Sequence, residues 1–356
     1  MKDVGIVGLP RSGKTTLFNA LTRAGVPAGG AAGKASVAAV PVPDPRVDAL
    51  AELERSRKRV FVQARFVDVA GLSVGGRGGG LAAQGLGALR EADALAMVLA
   101  AWGGGGAAGG PGGPDPAEAA AELNLELTVA DLESIAGGAE KAAKKARTGV
   151  KDAALEADVL ARARDLLDQG TPLRAADWEA EEARVLRNFA PLTLKPALAV
   201  LNLAEADAAA AAGRAAEVEA KLGLPTVAVA AALEAEAAEL APDDAADLLA
   251  GYGVERGGLD QVVGAAWRLL HLLTFLTTGE DETRAWEVRR GATAPEAAGR
   301  IHSDLQRGFI RAEVIGYHAL VAAGGWDAAR SKGLLRTESK SYVVREGDVL
   351  HIRFNV

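Results

Sequence analysis

Val4-Gly5-Ile6-Val7-Gly8-Leu9-Pro10-Arg11-Ser12-Gly13-Lys14-Thr15-Thr16 is the stretch that decides the fold. A short apolar run ends in the spacing G-x-x-x-x-G-K-[ST], carried by Gly8, Gly13, Lys14 and Thr15, and a helix-forming stretch, Leu17-Phe18-Asn19-Ala20-Leu21, follows. A strand that enters a glycine-rich loop and leaves as a helix aims successive backbone N–H groups at one point, the geometry that holds a phosphate. The spacing assigns phosphate contacts to Arg11, Ser12, Gly13, Lys14, Thr15 and Thr16. The Lys14 ammonium reaches the β- and γ-oxygens of a nucleotide, and the Thr15 hydroxyl is placed to ligate Mg²⁺. Glycine is needed where a Cβ would hold the backbone away from the ligand. The plainer alternative, a glycine turn before an ordinary helix, does not account for strand, loop and helix in that order.

Working outward, Val60 to Val69 reads as a second strand, and Asp68-Val69-Ala70-Gly71 stands at its end, before a glycine-rich loop. In a D-x-x-G arrangement Asp68 holds Mg²⁺ through water and the Gly71 N–H bonds the γ-phosphate, a bond that hydrolysis breaks and that lets the loop relax. Base recognition is expected after a later strand, at Asn202-Leu203-Ala204-Glu205. Guanine-selective proteins carry N-K-x-D there. Here Leu203 stands in the lysine position and the longer Glu205 in the aspartate position, which weakens guanine discrimination and admits adenine. Asn202, Leu203 and Glu205, with Ala231 in a second loop, are the expected base contacts, and ATP or GTP with Mg²⁺ is the expected ligand.

The 356 residues suffice for two or three domains. With no cysteine, disulfides, thiolate metal sites and thiol redox switching are excluded. The net charge of −7 argues against general polyanion binding by the whole chain. Val4–Val7 is too short for a signal peptide or a bilayer span, so a cytoplasmic protein with no membrane association is expected. Ala94–Ala101, Pro196–Leu201 and Thr226–Ala230 read as buried parallel strands, and their alternation with helical stretches gives a doubly wound α/β domain. Ala24–Ala39 and Gly103–Pro116 read as Gly-rich loops. Leu123, Leu127, Ala130 and Ile135, then Leu155, Val159, Ala163 and Leu166, mark short antiparallel helices inserted between strands. The basic run Lys141–Lys151 suits a solvated helix face or a contact with RNA. From about Phe275 short strands at 285–288, 309–315, 341–345 and 349–354 alternate with helices at 295–304 and 317–321, an α+β module. Arg284–Val356 holds 12 Lys and Arg against 8 Asp and Glu, +4, which leaves −11 elsewhere and makes this module the face toward a polyanion. The expected division is 1–120 and 193–272 for the nucleotide domain, 121–192 for the helical insertion, and 273–356 for the C-terminal domain.

Carried nearly end to end, the motifs resemble the YchF / Obg-like ATPase family of translation-factor-related P-loop proteins. The resemblance rests on Gly5–Thr22, on Pro41–Arg46 (P-V-P-D-P-R), on Phe66–Leu72 (F-V-D-V-A-G-L) and on Leu192–Pro196 (L-T-L-K-P). Most specifically, it rests on G-A-T-A-P-E-A-A-G-R-I-H-S-D-L-Q-R-G-F-I-R-A-E at Gly291–Glu313 and on the closing G-D-V-L-H-I-R-F-N-V. The resemblance implies a P-loop NTPase sheet with an inserted helical domain and a C-terminal β-grasp TGS domain. It also implies hydrolysis of ATP at least as good as of GTP, and association with the ribosome, with RNA contact through the TGS and helical domains.

Three positions depart from the family pattern. Arg11-Ser12 stands where the family has Asn-Val, whose asparagine helps hold a monovalent cation; the Arg11 guanidinium is the candidate replacement for that cation, and the only catalytic candidate. The family histidine after the third strand is absent, because the four histidines are His271, His302, His318 and His351. Gly29–Ala35 lacks a threonine for the first switch, which leaves Ser36 as the nearest hydroxyl. These losses bear on hydrolysis more than on binding and point to slow turnover. Negligible hydrolysis by a nucleotide-dependent ribosome- or RNA-binding protein is the second reading. A small-molecule kinase is the third, disfavoured by D-x-x-G and by the TGS-like tail.

Overall fold

In the computed structural model, which describes residues 2–23, 35–69, 83–102, 115–147, 153–254 and 257–355, the apolar runs form the centre of a six-stranded sheet. Its strands are β1 (Lys2–Val7), β2 (Ala35–Pro41), β4 (Gln63–Val69), β5 (Ala94–Ala101), β6 (Ala197–Leu203) and β7 (Thr226–Val229), in the order β2-β4-β1-β5-β6-β7. β1 with β5, β5 with β6, and β6 with β7 pair in parallel. Every residue of β5 and β6 is buried, as a strand with helices on both faces requires. Those helices are α1 (Lys14–Thr22), α3 (Ala83–Glu91), α4 (Pro116–Arg147), α7 (Ala211–Leu222), α8 (Ala231–Ala237), α9 (Pro242–Gly251) and α10 (Gly258–Leu269). With α5 (Ala153–Asp168) and α6 (Ala180–Arg187) they complete the first of two compact units, Met1–Val40 with Arg65–Leu269.

The two helices expected in the insertion are α4 and α5, and the first is longer than its apolar positions suggested. α4 has 32 residues, about 48 Å of rise, and runs through Lys141–Arg147 of the basic stretch; residues 148–151 lie outside the described residues. Its first half belongs to the sheet, with Leu123 and Leu127 packed among Val7, Val67, Leu95 and Met97. Its second half belongs to the insertion, with Ile135, Ala139 and Ala142 against Val159, Leu160 and Ala163 of α5. No break occurs at residue 121, because one apolar stripe serves two cores. The helix also starts earlier than the glycine tract suggested. Asp115 accepts the Ala117 N–H at 2.9 Å and Pro116 takes the first helical position.

At the junction of the two cores sits a buried polar knot. The Asp131 carboxylate accepts the N–H groups of Leu192 (2.8 Å) and Thr193 (2.7 Å) and the Thr193 hydroxyl (2.7 Å). Arg174 donates to the Thr193 carbonyl and to Asn124 Oδ1. Burial raises the Asp131 pKa, against its hydrogen bonds from Thr193 and Leu192 and the charge of Arg90, and burial lowers that of Arg174 to about 10, against the charge of Asp131.

The second unit is Pro41–Ala64 with Leu270–Val356. Its strands are β3 (Lys58–Val60), β8 (Leu272–Thr277), β9 (Glu282–Arg289), β10 (Phe309–Gly316), β11 (Arg336–Glu338) and β12 (Asp348–Phe354), in the order β11-β10-β12-β8-β9-β3. β8 and β9 form an antiparallel pair, β12 lies parallel to β8, and β10 is antiparallel to β12. α11 (Ala294–Ile301) packs Ala294, Ala297 and Ala298 against Phe275, Phe309, Val314 and Leu350, the sheet-around-helix core of a β-grasp domain. α2 (Pro45–Leu53), α12 (Ser303–Arg307), α13 (Tyr317–Ala323) and α14 (Trp326–Ser331) complete this unit.

Four local expectations change. Val60–Val69 is two strands, and the first, β3, pairs with β9, so residues 41–64 belong with the C-terminal unit rather than with the expected 1–120. Residues 35–41 form β2 although the stretch to Ala39 read as a loop; residues 24–34 lie outside the described residues. Residues 341–345 make one bridge, Thr293 to Val343, and no strand. Pro295–Asp304 is split into α11 and α12 at His302, whose φ of −161° is extended. Among the described residues no helix is long and apolar enough to cross a membrane.

Replacing Asp131 by alanine leaves two buried N–H groups without an acceptor. Asp131→Ala is expected to destabilise the first unit by about 3 kcal/mol, read as a lower midpoint in urea unfolding followed by circular dichroism.

Candidate functional site

The loop between β1 and α1 is folded on itself. The Ser12 N–H donates to the Leu9 carbonyl at 3.2 Å, and left-handed residues flank Ser12, Arg11 at φ 63° and Gly13 at φ 91°. Such alternation turns consecutive N–H groups to one side and makes an anion-binding concavity. Gly13 precedes α1 with no side-chain cap, and the first intrahelical bond is that of the Leu17 N–H to the Gly13 carbonyl. The N–H groups of Lys14, Thr15 and Thr16 therefore have no intrahelical acceptor. The glycines are steric necessities. A Cβ on Gly8 would lie 2.5 Å from the Ser12 Oγ and from the Val98 carbonyl, and one on Gly13 would lie 1.9 Å from the Asn202 Nδ2.

Lys14 folds back over the loop, its ammonium donating to the carbonyls of Gly8 (3.0 Å) and Leu9 (2.9 Å). Burial lowers its pKa, and the charge of Asp68 opposes that shift. The Thr15 hydroxyl donates to Asp68 Oδ2 at 3.0 Å. Asp68, 2% exposed at the end of β4, keeps its Oδ1 buried with no partner among the described residues, as does the Ser12 hydroxyl. Burial raises the Asp68 pKa, against the Thr15 hydrogen bond and the Lys14 charge. A hydroxyl and a carboxylate in contact, with one buried carboxylate oxygen unsatisfied, fit a hard divalent cation whose remaining ligands are phosphate oxygens and water. Among the described residues no cluster of three or more His, Asp or Glu offers a metal site of its own.

Of the expected base contacts, the structure joins two and separates two. Asn202, 5% exposed at the end of β6, donates through Nδ2 to the Ser12 carbonyl at 3.2 Å and accepts the Ala231 N–H on Oδ1 at 3.3 Å. Its amide is a strut between the phosphate loop and α8. Leu203 turns inward, 4% exposed among Leu99, Leu201 and Val218. Glu205 is exposed at the start of a 3₁₀ turn, Glu205–Ala210. Gly71 lies outside the described residues, Ser36 is the second residue of β2, and all four histidines belong to the C-terminal unit. Trp102 escaped the sequence reading: its ring comes 3.6 Å from the position a Gly13 Cβ would take. The available signal was an aromatic residue directly after β5, at the carboxyl edge of the sheet where ligands of such folds bind.

This sheet order, with a phosphate loop after the first strand and an acidic residue ending its neighbour, defines a P-loop nucleotide-binding domain, here carrying a helical insertion and a C-terminal domain. The chain is 39% identical to the Ribosome-binding ATPase YchF of Haemophilus ducreyi, over 99% of each. It is 38% identical to the protein of that name from Bacillus subtilis, again over 99% of each. The chain belongs to the YchF family. Residues 3–106 match a family described as 50S ribosome-binding GTPase, and residues 272–355 match the YchF GTPase C-terminal family, described as a protein of unknown function. Obg-like ATPase 1 of Oryza sativa subsp. japonica is 31% identical over 99% of this chain and 92% of its own. The YchF GTPase structure of Schizosaccharomyces pombe superposes with a TM-score of 0.83 at 26% identity, covering 99% of this chain and 97% of that one.

Asp68→Asn tests the strain at this site, because its two consequences have opposite signs. The raised carboxyl pKa costs the unliganded fold stability; this cost is absent below the ordinary carboxylate range and fully present above the raised value. The amide should therefore raise the unfolding midpoint of the ligand-free protein by about 1 kcal/mol equivalent at pH 7, read by thermal scanning. It should at the same time abolish the Mg²⁺ dependence of nucleotide binding, read by calorimetry.

Proposed function

We propose that the chain binds the Mg²⁺ complex of a purine nucleoside triphosphate, ATP or GTP, at the loop Gly8–Thr15, hydrolyses it slowly, and uses the change as a conformational switch at the ribosome. The observation that carries this reading is the convergence of Lys14, Thr15 and Asp68 on a concavity of free N–H groups. Arg11, Ser12, Gly13, Lys14, Thr15 and Thr16 take the phosphates, and Gly71 takes the γ-phosphate. Thr15 and Asp68 hold the metal. When bound, Mg²⁺ neutralises charge on the β- and γ-oxygens. Asn202 spends both ends of its amide on the protein backbone, so it serves the base site by fixing the loops, and the exposed Glu205 is left as the charged group for the base. Leu203 is drawn into the core. With one exposed carboxylate as the remaining charged base contact, discrimination between adenine and guanine is weak.

The names of the relatives, ribosome-binding ATPase among them, support action at the ribosome. RNA contact falls to two places: the basic end of α4, with Lys144, Lys145 and Arg147 in its last turn, and the C-terminal domain, where Arg311 and Arg353 are register partners on β10 and β12. A second reading, nucleotide-dependent ribosome or RNA binding with negligible hydrolysis, is favoured by the placement of every histidine in the C-terminal unit.

Competition of ATP against GTP should give affinities within roughly tenfold of each other, and Lys14→Ala should weaken both by at least about a hundredfold. Saturable binding that survives Lys14→Ala would defeat the site assignment. Turnover measured with and without ribosomes separates the two readings. Trp102 supplies an independent signal: its fluorescence should change when nucleotide binds, and the change should vanish in Trp102→Phe.

A further inference from the structure

Arg11 holds a conformation that works against it. At φ 63° it lies in the left-handed region, where an L-residue brings its Cβ against the next carbonyl; glycine avoids that contact, and asparagine or aspartate offsets it through a short polar side chain. The same loop uses glycine at positions 8 and 13. Arg23 and Arg55 share that backbone region, and what sets Arg11 apart is its place at the crown of the phosphate loop. Its side chain is exposed and has no hydrogen bond or ion pair among the described residues. Several arginines elsewhere in this acidic chain are engaged, Arg46 with Asp44 and Glu346, Arg65 with Asp3, Arg174 with Asn124 and the Thr193 carbonyl. Beside the loop, meanwhile, Lys14 is bonded to two carbonyls of the loop itself. Arg11 is thus the unengaged positive charge on a loop shaped for an anion. A guanidinium is planar and can grip two phosphate oxygens at once, which an ammonium cannot.

We propose that Arg11 is a catalytic arginine supplied by the phosphate loop itself, its guanidinium bonding the γ-phosphate and the oxygen that bridges the β- and γ-phosphorus. The inference rests on the nucleotide reading above. In the reaction, a water oxygen forms a bond to the γ-phosphorus while the bond from that phosphorus to the bridging oxygen breaks. The electron pair of the broken bond stays on the bridging oxygen, now part of the nucleoside diphosphate. One proton of the water passes to the released phosphate. Negative charge builds on the bridging oxygen as that bond opens, and a guanidinium placed there stabilises it. A positive charge held covalently at this point removes the need for a bound potassium ion.

Arg11→Gly separates the side chain from the backbone. It relieves the left-handed strain, so the unliganded variant should melt at a higher temperature than wild type. It leaves the N–H groups in place, so ADP affinity should fall by less than about tenfold, far less than hydrolysis. Single-turnover hydrolysis should fall roughly a hundredfold or more, and Arg11→Lys should recover part of it. A readout independent of turnover is the affinity for ADP in the presence of aluminium fluoride, which copies the flat transferring phosphoryl group. Wild type should bind ADP at least about tenfold more tightly with aluminium fluoride than without, and Arg11→Gly should lose that gain. Exchange of potassium for sodium should leave the wild-type rate unchanged. Equal gain from aluminium fluoride in wild type and Arg11→Gly, no gain in wild type, or several-fold stimulation of wild type by potassium would each overturn the assignment. Failure of wild type to bind ADP or ATP at all would instead overturn the nucleotide reading.

Discussion

A loop that must turn its amides toward one point has no space for side-chain carbon at the turns, and the rest of the site follows from that. Gly13 faces Asn202 so closely that a methyl group would displace the amide, and Gly8 faces both Ser12 and β5. The tight packing of these three segments gives Asn202 its two backbone partners, and those partners hold the phosphate loop in register with the start of α8. The same closeness buries Asp68 and Lys14 side by side. Neither charge is comfortable there without a ligand: burial shifts each pKa toward the neutral form, and each opposes the shift of the other. A site whose charges are destabilised when empty binds a compensating ion pair such as a phosphate–metal complex with a larger net gain.

Beyond the loop, the chain couples distant parts by sharing elements rather than by adding contacts. α4 contributes to the sheet core with one half and to the insertion core with the other, and the Asp131–Thr193–Arg174 knot lies where the two meet. A helix common to two cores transmits displacement of one to the other, because packed interiors resist local compression. The C-terminal sheet borrows its edge strand β3 from the segment that, in sequence, lies between β2 and β4. β4 ends at Asp68 and Val69.

Some of this was legible in the residues and some was not, for identifiable reasons. β5 and β6 announced themselves as uninterrupted apolar runs, since a strand covered on both faces has no polar side to show. Lys14, Thr15 and Asp68 were legible because their chemistry is tied to motif spacing. β2 was hidden, because its small residues Ala35-Ser36-Val37-Ala38-Ala39 continue the composition of the Gly/Ala-rich stretch before it. Val60–Val69 looked continuous, because β character does not reveal a change of sheet within a run. Leu203 was assigned to the base by position, whereas its hydrophobicity carried it into the core. Trp102 belongs to no motif; only the approach of β5 to the loop brings its ring beside Gly13.

The linear order of residues by itself determined the ligand class and the layer architecture, since both depend on short-range spacing: glycines and a lysine at fixed offsets, and apolar runs with period and length. Tertiary structure alone decided which of the candidate residues are engaged by the protein itself. Asn202 is spent on backbone, Leu203 on packing, and Arg11 on neither among the described residues. That division depends on distances between segments far apart in the chain, and spacing within a motif carries no information about such distances.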